Sequence, residues 1–241
     1  MAMNLGSFAS RVVATKVVAT DGTGDFTDIQ SAIDALPSGG GVVYIKEGTY
    51  TITSTITREI DNVYLVGAGF ATIITTGSNI NLIKVFGDKW TIQNLRIDGN
   101  SQATNKGIFC EFVDNIMINN CFIANCGGAG IYFEGSNEYC IISNNNLSYN
   151  VGHQIVLDLA QHSIVVGNIL ADGSADGILL QNAVNHNTIT GNIIVSNGGT
   201  GINILSGCTN NIVLGNIASG NSTAQITDLG TGTVVANNVT T

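Results

Sequence analysis

A repeat of about 24 residues constrains the fold of this chain more than any other feature. An Asn recurs at positions 120, 145, 168, 192 and 216, in steps of 25, 23, 24 and 24 residues. A Gly or Gln directly before an Ile recurs at positions 107, 130, 154, 177, 201 and 225, in steps of 23, 24, 23, 24 and 24. Two independent markers with one period indicate a stack of equivalent units.

Each unit holds short segments that alternate apolar and polar residues between Asn, Gly and Ser turns, and this pattern predicts strands. A unit of this size cannot bury its own apolar side, so copies must stack on one another as parallel strands about 4.8 Å apart. The sequence therefore predicts an all-β chain, a single-stranded parallel β-helix of about eight coils. The recurring Asn column is predicted to be a structural side-chain ladder at a corner.

The chain is predicted to divide into an N-terminal tail (1–17), an entry strand with a capping helix (18–41) and the β-helix itself (42–241). The helix is needed because an open end of the stack would expose strand edges and apolar core. Thr27 and Gln30 fit a capping box at its start. One helix face carries the apolar residues Phe26, Ile29, Ile33 and Leu36.

The entry region carries a recognisable motif. It begins as Asp21-Gly-Thr-Gly-Asp-Phe-Thr-Asp-Ile-Gln, continues with Gly39-Gly-Gly-Val-Val-Tyr-Ile and closes with Glu47-Gly-Thr-Tyr50. This stretch resembles the entry motif of the pectate-lyase-like right-handed parallel β-helix superfamily, which includes phage tailspike depolymerases, polygalacturonase-like hydrolases and polysaccharide lyases. The stretch 216–230 looks like phage and bacterial members in particular. The resemblance implies a right-handed β-helix and a carbohydrate ligand, but the motif itself names no catalytic residue.

The chain departs from the catalytic motifs of specific enzymes in that superfamily. Of the four short motifs of polygalacturonase-like hydrolases, only Gly152-His153 echoes one. Elimination of the pectate-lyase type generally uses an Arg or Lys as the base. The last basic residue of the coils is Lys106, so the later coils offer no such base. A fold does not by itself confer a chemistry.

Charge excludes some classes of partner. The formal net charge is −9 with eight Lys and Arg, whereas binding of nucleic acid requires clustered basic residues. No apolar window is long enough to insert into a membrane. We therefore expect a polysaccharide partner, no nucleic acid and no membrane insertion. No signal peptide is recognisable at the N-terminus, and the resemblance implies an extracellular or virion-associated protein.

Aligning the coils on the Gly/Gln-Ile marker predicts a candidate site. The Ile of each marker must point inward, and alternation then sends Phe109 and Tyr132 outward. Two residues further on, Glu111, Glu134 and Asp158 should form a column of three carboxylates on successive coils. Neighbouring carboxylates about 5 Å apart match the spacing of retaining glycosidases. The three carboxylates are the predicted catalytic residues, and Phe109 and Tyr132 are predicted to stack on sugar rings.

His153 and Asp176 lie one residue before the marker on two successive coils and are predicted to flank this site in substrate binding. Two other interpretations of the carboxylate column stay open. It binds a cation or faces water, or it is buried in a subunit interface.

Metal sites are weakly indicated. His162 and His186 both precede their ladder Asn by six residues and should stack on adjacent coils, but two His make an incomplete site. Asp172 and Asp176 resemble a loose fragment of a Ca²⁺ loop and also fit an ordinary turn. The five Cys lack zinc-type spacing. We expect no cofactor, with Ca²⁺ as the alternative.

A second column concerns assembly. Three residues before each ladder Asn stand apolar residues that would form a continuous exposed stripe if Ile116, Ile164 and Ile212 point inward. A homotrimer, as the resemblance to tailspikes implies, would bury such a stripe, while the opposite strand phase puts it in the core. The stripe consists of Met117, Ile142, Val165, Ile189 and Val213.

Together these features predict a tailspike- or depolymerase-type β-helix that binds and degrades a polysaccharide by means of paired carboxylates. Hydrolysis is favoured over elimination because acidic residues are plentiful near the predicted groove and basic ones are scarce. The alternatives are a non-catalytic structural or carbohydrate-binding rod, such as a viral tail-fibre segment, and a polysaccharide lyase.

Overall fold

The computed structural model describes residues 15–241, so most of the predicted N-terminal tail lies outside the described residues. The entry region holds helix α1 (Ile29–Asp34). In the first part of the chain the strands are β1 (Lys16–Val18), β2 (Gly41–Ile45), β3 (Gly48–Ile52), β4 (Ile56–Arg58), β5 (Val63–Gly67), β6 (Thr72–Thr76), β7 (Ile83–Val85), β8 (Thr91–Gln93) and β9 (Arg96–Asp98).

The later strands follow at the spacing of the repeat. In the middle of the chain they are β10 (Ile108–Glu111), β11 (Met117–Asn119), β12 (Phe122–Ala124), β13 (Ile131–Glu134), β14 (Ile141–Ser143), β15 (Asn146–Ser148), β16 (Ile155–Asp158), β17 (Ile164–Val166) and β18 (Ile169–Ala171). In the last part they are β19 (Ile178–Gln181), β20 (Thr188–Thr190), β21 (Ile193–Val195), β22 (Ile202–Ile204), β23 (Ile212–Leu214), β24 (Ile217–Ser219), β25 (Ile226–Asp228), β26 (Val234–Ala236) and β27 (Val239–Thr240).

These strands form three parallel sheets that wrap around one core. Sheet A has ten strands in the order β1-β2-β5-β8-β11-β14-β17-β20-β23-β26. Sheet B has nine, in the order β3-β6-β9-β12-β15-β18-β21-β24-β27, and sheet C has eight, in the order β4-β7-β10-β13-β16-β19-β22-β25. The predicted all-β right-handed parallel β-helix is confirmed, with about nine turns.

The marker Ile residues stack in register along sheet C, as predicted. Ile108, Ile131 and Ile155 are fully buried. The period-2 alternation of the sequence therefore gave the correct inward phase for this sheet.

Helix α1 covers the N-terminal end of the core. Ile29 and Ile33 are buried in the same cluster as the first strands, and Phe26 packs against it. The predicted capping box is wrong, because the N-cap is Asp28, whose Oδ1 accepts from the Ser31 backbone N–H at 2.8 Å. Gln30 instead donates from Nε2 to the Thr57 carbonyl at 2.8 Å and so ties the helix to β4.

The Asn ladder runs at the corner between sheets A and B. Asn168, Asn192 and Asn216 are buried, and the side-chain oxygen of each accepts from the backbone N–H of the preceding rung. The prediction that Asn120 belongs to this ladder is wrong, because Cys121 occupies the rung and donates its N–H to Asn145 Oδ1. Asn120 takes the exposed left-handed position beside it, with φ of 49°.

The predicted apolar stripe of Met117, Ile142, Val165, Ile189 and Val213 is wrong in phase. Ile142, Val165, Ile189 and Val213 lie in the core. The outward column of sheet A begins with Val42, Tyr64, Thr91 and Met117 and continues through Ile141, Ile164, Thr188, Ile212 and Val234. Ile164 and Ile212 are exposed rather than inward-pointing. An apolar surface therefore exists, but apart from Met117 it is built from different residues.

A second exposed apolar column lies on sheet B, where Ile169, Ile193, Ile217 and Val239 are in register. Within residues 15–241, no helix has the length and apolar character that crossing a bilayer would require.

Candidate functional site

The predicted carboxylates lie together on the outer face of sheet C. Glu111 of β10 pairs in register with Glu134 of β13, and Phe109 pairs with Tyr132. Strand β16, which ends at Asp158, is the next neighbour of β13. The structure thus brings the acid trio and the two aromatic residues onto consecutive strands, about 4.8 Å apart.

Glu111 is held by a cation that the sequence analysis overlooked. Lys84 Nζ lies 2.9 Å from Glu111 Oε2, with both side chains about a quarter exposed. Lys84 belongs to β7, where it pairs in register with Phe109. The signal was present in the sequence, since Lys84-Val85 follows Ile83 just as Phe109-Cys110 follows Ile108.

Asp158 is nearly enclosed, with 8% of its surface exposed. Three side chains donate to its carboxylate: Tyr132 Oη at 3.2 Å and Gln181 Nε2 at 2.9 Å to Oδ2, and Asn182 Nδ2 at 2.9 Å to Oδ1. To reach Asp158, Tyr132 extends across the neighbouring rung of Val156, which is only 1% exposed although it points outward. Asp158 therefore acts as a hydrogen-bond acceptor that orients Tyr132.

The phenol of Tyr132 is strongly perturbed by this arrangement. Burial of the ring, followed by the charge and the hydrogen bond of Asp158, raises the pKa of Tyr132 to about 12. Tyr132 thus remains a hydrogen-bond donor throughout the physiological pH range.

Glu134 lies between Glu111 and Asp158 in the column. Its carboxylate makes no hydrogen bond or ion pair to any residue in the described part of the chain, and it is partly exposed. Of the three acids, it is the one whose carboxylate is free to contact a bound ligand.

Phe109 is not the open stacking platform that the sequence predicted. It is only 5% exposed, because two ammonium groups lie over its ring, Lys106 Nζ at 4.6 Å and Lys84 Nζ at 5.0 Å from the centroid. The Tyr132 ring meets it edge to face at 5.8 Å. Lys106 Nζ also lies 4.9 Å from the Tyr132 centroid. The site thus combines carboxylates, aromatic rings and ammonium groups.

His153 and Asp176 also come together, as a separate cluster on the same face. The Asp176 backbone N–H donates to His153 Nδ1 at 3.1 Å. The Asp176 carboxylate accepts from the Thr200 backbone N–H at 2.6 Å and from Asn203 Nδ2 at 3.0 Å. Burial alone raises the pKa of Asp176, but the hydrogen-bonding groups of His153, Asn203 and Thr200 outweigh it, so that the pKa lies below the ordinary 3.8.

An apolar patch lies between this cluster and the acid column. It consists of Ala129, Val156 and Leu179, with Tyr132 and Leu205 packed against it. The outer face of sheet C therefore has an acidic and cationic end, an apolar middle and a polar end around Asp176.

The other predicted ligands do not assemble into a metal site. His162 and His186 stack on adjacent rungs at 5.3 Å between centroids, as predicted, with Tyr139 stacked on the other side of His162. Asp172 is exposed while Asp176 is buried in its own hydrogen bonds, so the two share no ligand position. Within residues 15–241, no group of three or more His, Cys, Asp or Glu is arranged to hold a metal ion.

The five Cys are free and buried. Burial raises the pKa of Cys121, Cys126 and Cys140 to about 12, so these thiols are poor nucleophiles.

Comparison with known families gives two matches along the chain. The family described as "Right handed beta helix region" matches residues 80–240, which is well over half of the chain. The family described as "Pectinesterase" matches residues 15–103. A probable pectinesterase/pectinesterase inhibitor of Arabidopsis thaliana is 37% identical over 101 residues, which cover 36% of this chain and 18% of the relative. The chain thus spans less than a fifth of that relative's length.

Solved structures resemble the chain in fold. An endo-xylogalacturonan hydrolase from Aspergillus tubingensis superposes with a TM-score of 0.70 at 14% identity, over 88% of this chain and 68% of the hydrolase. The Dettilon tailspike protein superposes with a TM-score of 0.59 at 17% identity, over 84% of this chain and 48% of the tailspike. At these identities the likeness concerns the fold alone.

Proposed function

This chain belongs to the right-handed β-helix family, within the pectate-lyase-like superfamily, and from that membership we propose that it binds a polysaccharide along the outer face of sheet C and cleaves its glycosidic bonds. The observation that carries the proposal is the register of Glu111 and Glu134 on adjacent strands beside Tyr132, Lys84 and Lys106. The name of its sequence relative, a probable pectinesterase/pectinesterase inhibitor, favours a pectin-like polysaccharide as substrate.

In the proposed mechanism the two glutamates divide the work. Adjacent strands place their carboxylates near the roughly 5 Å spacing of retaining glycosidases. Lys84 positions Glu111 for attack on the anomeric carbon. Glu134, which has no partner in the described part of the chain, donates the proton to the leaving oxygen. Water that is deprotonated by Glu134 then hydrolyses the resulting glycosyl-enzyme ester and frees Glu111. Asp158 orients Tyr132, whose hydroxyl and ring contact the sugar.

Assays of product chemistry test this proposal. The protein is incubated with polygalacturonate, xylogalacturonan and bacterial surface polysaccharides, and reducing ends and unsaturated products are measured in parallel. We expect new reducing ends without the ultraviolet absorbance of unsaturated sugars. Glu134→Gln should lower the rate by about 10²-fold or more, while the exposed Glu47→Gln serves as the matched control. Wild-type activity in Glu134→Gln would refute the assignment of the site.

A second candidate reaction is elimination by a polysaccharide lyase. It is favoured by one observation that the sequence analysis did not anticipate, namely that Lys106 lies over the Phe109 and Tyr132 rings without a carboxylate partner among residues 15–241. An ammonium in that position neutralises the charge of a bound uronate, as elimination requires. Unsaturated products that disappear in Lys106→Met would favour elimination over hydrolysis.

A non-catalytic rod, such as a viral tail-fibre segment, is the third candidate. Its expected result is retention of polysaccharide with no new reducing ends and no unsaturated products.

We also propose that the protein is a homotrimer of tailspike type and is extracellular or virion-associated. The exposed apolar columns in the later coils of sheets A and B support the assembly.

A further inference from the structure

A groove on the outer face of sheet A lies on a different sheet from the candidate catalytic site. It crosses strands β2, β5, β8 and β11 and encloses about 670 Å³. Val42, Val66 and Met117 supply its aliphatic surface. Four parallel strands span about 14 Å along the axis of the rod, so the groove has the length of a short oligosaccharide.

Two tyrosines stand at one end of this groove. Tyr64 is 44% exposed and lies in register with Val42 on one side and Thr91 on the other. Tyr44 is partly exposed and pairs with Val66 on the next strand. The two rings are therefore diagonal neighbours on adjacent strands, and both present apolar surface to a ligand.

The polar side chains of the groove have no hydrogen-bond partners among the described residues. The hydroxyls of Tyr44, Tyr64 and Thr91 and the amide of Gln93 make no hydrogen bond to any other residue in the range 15–241, yet all four residues line the groove. A concave apolar surface with a few converging polar groups is the usual form of a small-ligand site.

Charge identifies the class of ligand. No Asp, Glu, Lys, Arg or His is among the residues that line the groove, although the chain carries a net charge of −9. An uncharged wall of aromatic rings, hydroxyls and an amide matches a ligand that is neutral and rich in hydroxyl groups. It contrasts with the charged face of sheet C.

We propose that this groove is a second, non-catalytic binding site for a neutral polysaccharide strand. The Tyr44 and Tyr64 rings pack on the apolar faces of sugar rings, and the hydroxyls and the Gln93 amide bind sugar hydroxyls. This site does not depend on the reaction proposed for sheet C, since none of its residues belongs to that face.

Affinity electrophoresis tests the proposal with three neutral probes, xyloglucan, galactomannan and hydroxyethyl cellulose, and with polygalacturonate as an anionic comparison. We expect at least one neutral polysaccharide to retard the full chain. Tyr64→Ala and Tyr44→Ala should each weaken that binding about tenfold, while Tyr64→Phe keeps most of it. Tyr149→Ala, which removes a tyrosine that is 61% exposed elsewhere, is the matched control.

Several outcomes would overturn the proposal. They are the absence of retardation by all three neutral probes, equal binding by Tyr64→Ala and wild type, or a change of oligomeric mass in Tyr64→Ala, which would show that another copy of the chain covers the groove. Glu134→Gln separates this proposal from the proposed function, because it should abolish cleavage without changing retardation. Circular dichroism and urea midpoints confirm that each variant is folded.

Discussion

At the scale of single residues, the carboxylates on sheet C differ in what holds them. Glu111 has a lysine, Asp158 has three neutral donors, and Glu134 has neither. Asp176 is held by a backbone N–H and an amide. Charge-assisted hydrogen bonds of this kind stabilise the folded protein only while the carboxylate is ionised. The free energy of unfolding should therefore depend on pH through the ionisation of Asp176.

Asp176→Asn should lower the free energy of unfolding by about 1.5–3 kcal/mol at neutral pH, because the charged acceptor is lost. The pKa of Asp176 is lower in the folded protein than the ordinary 3.8, so its contribution is present above that value and is lost as pH falls through the folded pKa. Urea unfolding of wild type and variant between about pH 7 and pH 2.5 measures this. A difference that grows on acidification would contradict the prediction.

The composition of the acid column could be predicted from the sequence, but its surroundings could not. The marker period placed Glu111, Glu134 and Asp158 on successive coils because register in a parallel stack follows directly from spacing. The Tyr132 side chain packs across Val156, and the Lys106 ammonium lies over the Phe109 ring. Both arrangements depend on side-chain rotamers. The repeat carries no information on rotamers, and for this reason it predicts Phe109 as an open platform.

At the scale of elements, buried side-chain amides stabilise the corner between sheets A and B. Asn192 shows the arrangement: Nδ2 donates to the Val165 carbonyl at 2.9 Å and to Asn216 Oδ1 at 2.9 Å, while Oδ1 accepts from the Asn168 backbone N–H at 2.9 Å. The sequence predicted this ladder from a single marker. The sequence did not predict a second Asn ladder, which runs through Asn150, Asn197 and Asn221. Gly173 interrupts the Asn pattern of that ladder.

Asn192→Ala should lower the free energy of unfolding by about 3 kcal/mol or more, because it leaves several buried backbone and amide groups without partners. Asn146→Ala is the matched control, since Asn146 is a partly exposed residue on the outer face of sheet B and its loss should change stability by less than about 0.5 kcal/mol. Chemical denaturation of both variants gives the comparison. Equal effects would show that the ladder contributes no more than a surface amide.

At the scale of the whole molecule, the exposed apolar columns favour association of several copies of the chain. In the later coils, beyond the sheet A groove of strands β2 to β11, the column of Ile164 and Ile212 on sheet A and that of Ile169, Ile193 and Ile217 on sheet B lie on either side of one corner. Gly167, Gly191 and Gly215 occupy that corner with φ of 68°, 64° and 63°, so no side chain projects between the columns. Each chain therefore presents two apolar faces that meet at an edge. A twofold dimer would cover one face, whereas packing around a threefold axis covers both.

Ile193→Lys should convert a homotrimer into a monomer, because each chain would then bury a charge in a face that meets its neighbour. Size-exclusion chromatography with light scattering should give three times the chain mass for the wild type and one chain mass for the variant. Val151→Lys adds the same charge at a residue that is 55% exposed away from both columns, and it should remain trimeric. A monomeric wild type would refute the assembly. Because the proposed catalytic face and the sheet A groove use other residues, that result would leave both binding proposals standing.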